Sequence, residues 1–167
     1  SDFARMPKPI FKDNDLVSII NDNINLLKDL DKDILIKLVN NNEKIILNSD
    51  SEQLSRVFLN LIKNSIESIQ EKKQNIANFK GKINIEINSY NDYIDFIIID
   101  NGKGFDQLKG NVKDILNPYF TTKKKGTGLG LSIVNKIVND HNGLIDFVTL
   151  ENGAKIKFVF KKWVQKY

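Results

Sequence analysis

Cysteine is absent from the 167-residue chain, and histidine occurs once, at His141. Without thiols there is no disulfide framework, no thiolate nucleophile and no cysteine-ligated zinc; with a single imidazole there is no multi-histidine metal centre. Proline occurs three times and tryptophan once. No apolar run approaches the roughly 18–20 residues that a membrane-spanning helix needs, and nothing reads as a signal peptide, so a reducing cytoplasm is the expected setting. Repeats and low-complexity tracts are also missing. What is present is 41% hydrophobic and 28% charged residues, the composition of one globular domain with a real core. The net charge is +4. That mild excess comes without the aromatic–basic interleaving of a nucleic-acid surface, so no nucleic-acid partner is expected.

The opening Ser1–Ile10 carries Pro7 and Pro9 and reads as extended linker, or at Ser1–Met6 as the last turn of a preceding helix. Asp13–Leu30 reads as a helix capped by Asn14 or Asp15, with Leu16, Ile19, Ile20, Ile24 and Leu27 on one face. Ile34–Val39 and Lys44–Leu47 read as a strand pair joined by Asn40–Asn42. Asp50–Lys73 is a long amphipathic helix. Lys82–Asn88 alternates as a strand, and Tyr93–Asp100 carries the run Phe96–Ile99 expected of a central, two-sided strand. Gly102–Gly126 is a long polar loop, with a short helix expected at Asn111–Leu116. Gly128–His141 is a helix stopped by Gly143, and Leu144–Leu150 with Lys155–Phe160 forms a closing hairpin around Glu151-Asn152-Gly153. Mixed helices and adjacent strand pairs predict an α+β fold: one mixed, mostly antiparallel sheet covered on one face by helices.

Three features carry chemistry. On the long helix, Leu54, Val57, Phe58, Leu61, Ile62, Ser65 and Ile69 share an apolar face, while Asn60, Asn64 and Glu67 fall on another. Two asparagines one turn apart suit a polar stripe facing a cleft, and an amide oxygen is a hard ligand suited to Mg²⁺ that already carries phosphate oxygens. A solvated face in an Asn-rich chain gives the same pattern. Next, Asp100-Asn101-Gly102-Lys103-Gly104 follows the apolar strand directly: a fixed acceptor, then glycines that admit a flat ligand or simply make a tight turn. Third, Gly126-Thr127-Gly128-Leu129-Gly130 opens a helix, where exposed N–H groups attract phosphate. It is neither a Walker A loop nor a Rossmann fingerprint. Thr121-Thr122-Lys123-Lys124-Lys125 just upstream supplies hydroxyls and cations.

Taken in order, Asn-x-x-x-Asn on a helix, strand-Asp-x-Gly-x-Gly, Pro118-Tyr119-Phe120-Thr121-Thr122-Lys123 and Gly-Thr-Gly-Leu-Gly resemble the N, G1, F and G2 boxes of the ATP-binding catalytic domain of sensor histidine kinases, in the superfamily shared with gyrase and MutL. The likeness spans roughly Asp15–Phe160, and Phe3–Pro9 followed by Asp15-Leu16 is similar to NtrY-type nitrogen-regulation sensors. The resemblance implies a Bergerat-type two-layer sandwich with an ATP lid loop. It divides the chain into residues 1–13 (linker and tail of the dimerisation helix), 14–163 (catalytic domain) and 164–167 (C-terminal tail). It implies ATP and Mg²⁺ as cofactors, Asn64 as the metal ligand, and Asn60, Asn64 and Lys123 as the catalytic set. Asp100 would accept from the adenine amine, Gly102 and Gly104 would wall the pocket and hinge the lid, and Phe120 would anchor the lid. Thr121, Thr122, Lys123 and the backbone of Gly126, Thr127, Gly128, Leu129 and Gly130 would meet the phosphates. The third N-box position, often basic, is Glu67, and the last strand has Ala154-Lys155 where the family often has Thr.

The ATP-hydrolysing relatives carry Glu where this chain has Asn60, and Asn cannot take a proton at neutral pH. A phosphotransfer domain is therefore expected rather than a gyrase-like ATPase or chaperone-like module. His141, beside a helix end, reads as a dipole-favourable structural residue rather than a phosphoacceptor. The implied partners are the dimerisation and phosphoacceptor domain of the same kinase and an NtrX-like response regulator, with the parent a homodimer tethered to the inner membrane.

Overall fold

This computed structural model describes residues 6–39, 43–104 and 130–162. In chain order the elements are β1 (Lys12–Asp15), α1 (Leu16–Leu27), β2 (Ile34–Val39), β3 (Ile46–Ser49), α2 (Ser51–Lys73), β4 (Gly81–Ser89), β5 (Tyr93–Asp100), α3 (Gly130–Asp140), β6 (Gly143–Leu150) and β7 (Gly153–Lys161). Five strands form one sheet in the order β2-β4-β5-β7-β6. Its β2–β4 pair is parallel and the other three pairs are antiparallel. The expected α+β class and mostly antiparallel sheet are therefore present.

Alternation along the strands builds the core. Ile83, Ile85 and Ile87 of β4, Ile94, Phe96 and Ile98 of β5, and Ile156, Phe158 and Phe160 of β7 are buried and pack with Leu54, Val57, Phe58, Leu61, Ile62 and Ile69 of α2. Stacked and tilted rings link the layers: Phe58 to Phe96 at 4.9 Å, and Phe96 to Phe158 at 5.3 Å between centroids. Such aromatic pairs add about 0.5–1.5 kcal/mol beyond their buried area. On the opposite face of the central strand β5, Asp95 is buried and hydrogen-bonded by Asn88, but the apolar Ile97 and Ile99 are only half-buried. The apolar run Phe96–Ile99 therefore marks a central strand with one covered face, not two.

Several local expectations are corrected. Asp13 and Asn14 lie in a strand, Lys12–Asp15, rather than opening a helix; α1 begins at Leu16, and of the two expected caps it is Asp15 that caps it. The sequence Lys-Asp-Asn-Asp has no apolar alternation, so its extended form comes from its partner: β1 pairs antiparallel with β3, Lys12 opposite Ser49 and Asp15 opposite Ile46. For the same reason β2 and β3 are not a hairpin. β2 buries Ile34 and Leu38 and takes β4 as its neighbour. Asn40–Asn42 lie outside the described residues, as does the short helix expected at Asn111–Leu116. At the end of α3 the left-handed position is Asn142, at φ 56°, and not Gly143. Gly143 instead opens β6, where a Cβ would lie 2.8 Å from Val138 Cγ1 and 3.0 Å from Phe160 Cδ1.

Candidate functional site

The position of Asp100 follows from strand parity. Ile94, Phe96, Ile98 and Asp100 all point to the helix side of β5, so the alternation that builds the core delivers a carboxylate to its edge, 7% exposed. There the side chain is held on both oxygens. Ser65 Oγ donates to Oδ2 at 3.0 Å, and the Gly102 N–H donates to Oδ1 at 2.8 Å. Burial pushes the Asp100 carboxyl above its ordinary pKa; the Gly102 N–H, the Ser65 hydroxyl and the Lys72 charge pull the other way. An ionised carboxylate offers about four lone-pair sites, so two donors leave acceptor capacity for a ligand.

The residues after Asp100 are fastened to α2 turn by turn. Ser68 Oγ accepts from Lys103 N–H at 3.0 Å, Lys103 forms an ion pair with Glu71, and Lys72 Nζ donates to the carbonyls of Asn101 at 3.1 Å and Gly102 at 3.4 Å. On the other side Asn101 accepts from Lys82 N–H and donates to Lys80 O. Gly102 lies flat on α2, where a Cβ would come within 2.9 Å of the Ser68 backbone carbon. Gly104, at φ 72°, abuts the carbonyl of Gly153, which itself sits at φ 143° against the backbone of Asp100 and Asn101.

Asn60 and Asn64 are half-buried on α2, and Asn64 is the residue next to Ser65. A Cβ built on Gly130, the first residue of α3, would lie 4.0 Å from Asn64 Nδ2. So Asn64 sits between the Asp100 corner and the start of α3, with Asn60 one turn further toward the N-terminus of α2. The fold thus brings Asp100, Gly102 and Gly130 to the side of α2 that carries Asn60 and Asn64, with Gly104 beyond them against Gly153. Phe120, Thr121, Thr122, Lys123, Gly126, Thr127, Gly128 and Leu129 lie outside the described residues, as does the expected lid. Sequence reasoning missed Ser65, assigned to the apolar face, and the supports Ser68, Glu71 and Lys72. The signal was available in the spacing: 65, 68 and 72 recur at i, i+3 and i+7 below an Asp-x-Gly turn.

A profile of the histidine kinase-, DNA gyrase B- and HSP90-like ATPases matches residues 49–164. The chain belongs to that family. Within it the similarity runs to kinases. An NtrY-like sensor histidine kinase of Rickettsia felis is 38% identical over 164 residues, 96% of this chain and 26% of that protein. The nitrogen regulation protein NtrY of Azorhizobium caulinodans is 34% identical over 149 residues, 87% of this chain and 18% of that protein. The chain thus spans about a quarter or less of these relatives. The nucleotide-free catalytic domain of histidine kinase ThkA superposes with a TM-score of 0.77 at 29% identity, covering 92% of this chain and 96% of that one. ThkA in complex with the response regulator TrrA gives 0.72 at 24% identity, covering 92% of this chain and 42% of that one, which shows the shared fold. This ATPase-family domain is therefore of the histidine kinase catalytic type.

His141 is a second buried titratable group of the domain, 5% exposed. Its Nε2 accepts from the Asp50 N–H at 3.0 Å, so Nδ1, 2.8 Å from Ile137 O, carries the proton. Burial pushes the imidazole below its ordinary pKa, against the Ile137 carbonyl and the Asp50 and Asp140 charges. As expected of a structural residue at a helix end, its Nδ1–H meets a carbonyl in the last turn of α3, and its Nε2 ties that end to the backbone of Asp50, whose side chain caps α2. Asp50 in turn accepts from Gln53 N–H and Ile10 N–H. Burial works to raise its carboxyl, but the N–H donors of Ile10, Gln53 and Glu52 outweigh it and hold it below the ordinary range.

Proposed function

We propose that this chain binds Mg·ATP along α2 and transfers the γ-phosphoryl group to a histidine on a dimerisation domain outside these residues, for relay to an NtrX-like response regulator. The observation that carries the reading is Asp100, a buried carboxylate oriented by Ser65 and Gly102 with lone pairs to spare beside a glycine-bounded corner. Such a group accepts from an exocyclic amine. Gly102 and Gly104 let the chain after Asp100 pack closely against Ser68 and Gly153 and so hold the corner beside the base, and a polyphosphate would extend from there toward Asn64 and then Asn60 on α2.

Mg²⁺ fits this donor set. Among the described residues no group of three or more His, Cys, Asp or Glu could cage a metal. Mg²⁺ bound to nucleotide needs only one or two protein oxygens, since phosphates and water fill the rest. Asn64 supplies one such amide beside the start of α3, and the ion would neutralise charge on the transferring phosphoryl. Asn60 would assist at the phosphates. Lys123, Thr121, Thr122 and the Gly126–Gly130 backbone would add cationic and N–H contacts, and Phe120 would anchor the lid. Phosphoryl transfer asks the protein mainly for positioning and charge neutralisation, so no side-chain base is required. Residues 1–13 are read as linker and dimerisation-helix tail, 14–163 as the catalytic domain and 164–167 as a tail.

No helix among the described residues is long and apolar enough to cross a membrane. The parent is read as a homodimer tethered to the inner membrane, with this domain in the cytoplasm. The test is a γ-labelled ATP assay with and without the phosphoacceptor hairpin. Label on the hairpin's histidine, with little phosphate released by the chain alone, supports transfer. Brisk release by the chain alone, abolished by Glu67→Gln, supports an ATPase instead.

A further inference from the structure

We propose that Ser65 is a positioning residue that holds Asp100 as an acceptor-only carboxylate toward the bound base, and thereby sets the preference for a purine bearing an amine over one bearing a carbonyl. The inference rests on the nucleotide reading above and adds a determinant that lies one residue beyond the asparagine stripe.

The two donors on Asp100 differ in kind. The Gly102 N–H can only donate, so Oδ1 remains an acceptor in every protonation state. Ser65 is a hydroxyl. It donates to an ionised Oδ2, but it can turn and accept if Oδ2 gains a proton. Oδ2 is therefore the oxygen whose character is open, and the Ser65 O–H is the group that fixes it. Both residues are buried, at 4% and 7% exposure, so water does not substitute readily for a missing donor. Burial already favours the protonated acid, which the Ser65 hydroxyl opposes. Without Ser65 to hold that proton off or to accept it, a protonated Asp100 would present an O–H donor to the base, which suits a ring carbonyl such as that of guanine and repels an amine such as that of adenine.

The surroundings contain little else that could do the same work. From α2 the facing charge is Lys72, committed to the Asn101 and Gly102 carbonyls and lying 4.9 Å from the Phe79 ring centroid. Lys103 is paired with Glu71. Opposite Asp100 in the sheet stand Ile83 of β4 and Ala154 of β7, neither of which carries a polar side chain.

The experiment is calorimetric titration of the chain with Mg·ATP and Mg·GTP between pH 5 and 8, for wild type, Ser65→Ala and Ser65→Cys. Cys keeps the volume with a much weaker donor and serves if the alanine variant packs poorly. Wild type should prefer ATP. Ser65→Ala should reduce the ATP-to-GTP affinity ratio by roughly tenfold, the order expected for losing a hydrogen bond to a charged group. It should also move the acid-side loss of ATP affinity to higher pH, with Ser65→Cys between. A purely structural role would weaken both nucleotides alike and leave the pH profile in place, and that result overturns the proposal. Wild type binding neither nucleotide would instead overturn the nucleotide reading, and the proposal with it.

Discussion

Two buried titratable groups sit at opposite ends of α2, and their surroundings lead them to different uses. His141, near the first turn, has one donor and one acceptor as a neutral ring, and both are spent on backbone groups, the Ile137 carbonyl and the Asp50 N–H. Asp100, beside the later turns, also receives a backbone N–H and is also pushed by burial toward its neutral form. But a carboxylate has more acceptor sites than Ser65 and Gly102 fill. A saturated group makes a joint, whereas a group with remaining acceptor capacity is free to take a ligand, as proposed for Asp100. Burial and a shifted pKa do not separate the two cases; counting hydrogen-bond capacity does.

The largest effect should come where the recognition corner meets the hairpin. In Gly153→Ala the new Cβ would face the Asp100 carbonyl carbon at 2.9 Å and Asn101 Cα at 3.0 Å, at a φ of 143°. A loss of about 1–3 kcal/mol in denaturant unfolding is expected, with nucleotide binding abolished because Asp100 and Asn101 must shift. Wild-type-like binding would show that the corner tolerates displacement. His141→Ala should lower stability by about 1–3 kcal/mol, since the Asp50 N–H is left without its acceptor, while nucleotide affinity in the surviving folded protein stays near wild type. Equal loss of binding would erase the distinction between joint and site.

Acidification sharpens the same contrast. The folded-state pKa of His141 is depressed, so its contribution is complete above the unfolded value near 6.5 and declines as pH falls toward the folded value. The thermal stability of wild type should therefore fall below about pH 6.5, and His141→Ala should lose that part of the slope. The smallest stability effect is expected for Asn64→Ala, within about 0.5 kcal/mol, because a half-buried residue on the stripe removes little core. Its ATP affinity should nonetheless lose most of its dependence on Mg²⁺. A Mg²⁺ dependence equal to wild type would remove Asn64 from the metal site.

Periodicity made most of this fold readable. The apolar spacing on α2 and the alternation in β4, β5 and β7 located the core, and the Asn-x-x-x-Asn helix and the Asp-x-Gly-x-Gly turn after β5 lie next to each other in the fold. What sequence concealed was pairing and polar support. β1 has no hydrophobic pattern, so only β3 reveals it as a strand. β2 looked like a hairpin partner of β3 because sequence neighbours usually pair, yet burying Ile34 and Leu38 required the sheet and hence β4. Ser65 passed for an apolar-face residue because small hydroxyls are common in cores; its partner Asp100 lies 35 positions away. The role of His141 likewise depends on Asp50, 91 positions away. Local spacing carries no information about such distant partners.

The central claim is that Asp100 reads the base while the fold stands without its charge. Calorimetric titration of Asp100→Asn with Mg·ATP, beside its unfolding midpoint, tests this most directly. Replacing an acceptor by an amide should cost roughly 1.5–3 kcal/mol of ATP binding, a loss of about tenfold or more, with cooperative unfolding retained. Unchanged ATP affinity in a folded Asp100→Asn protein would contradict the account.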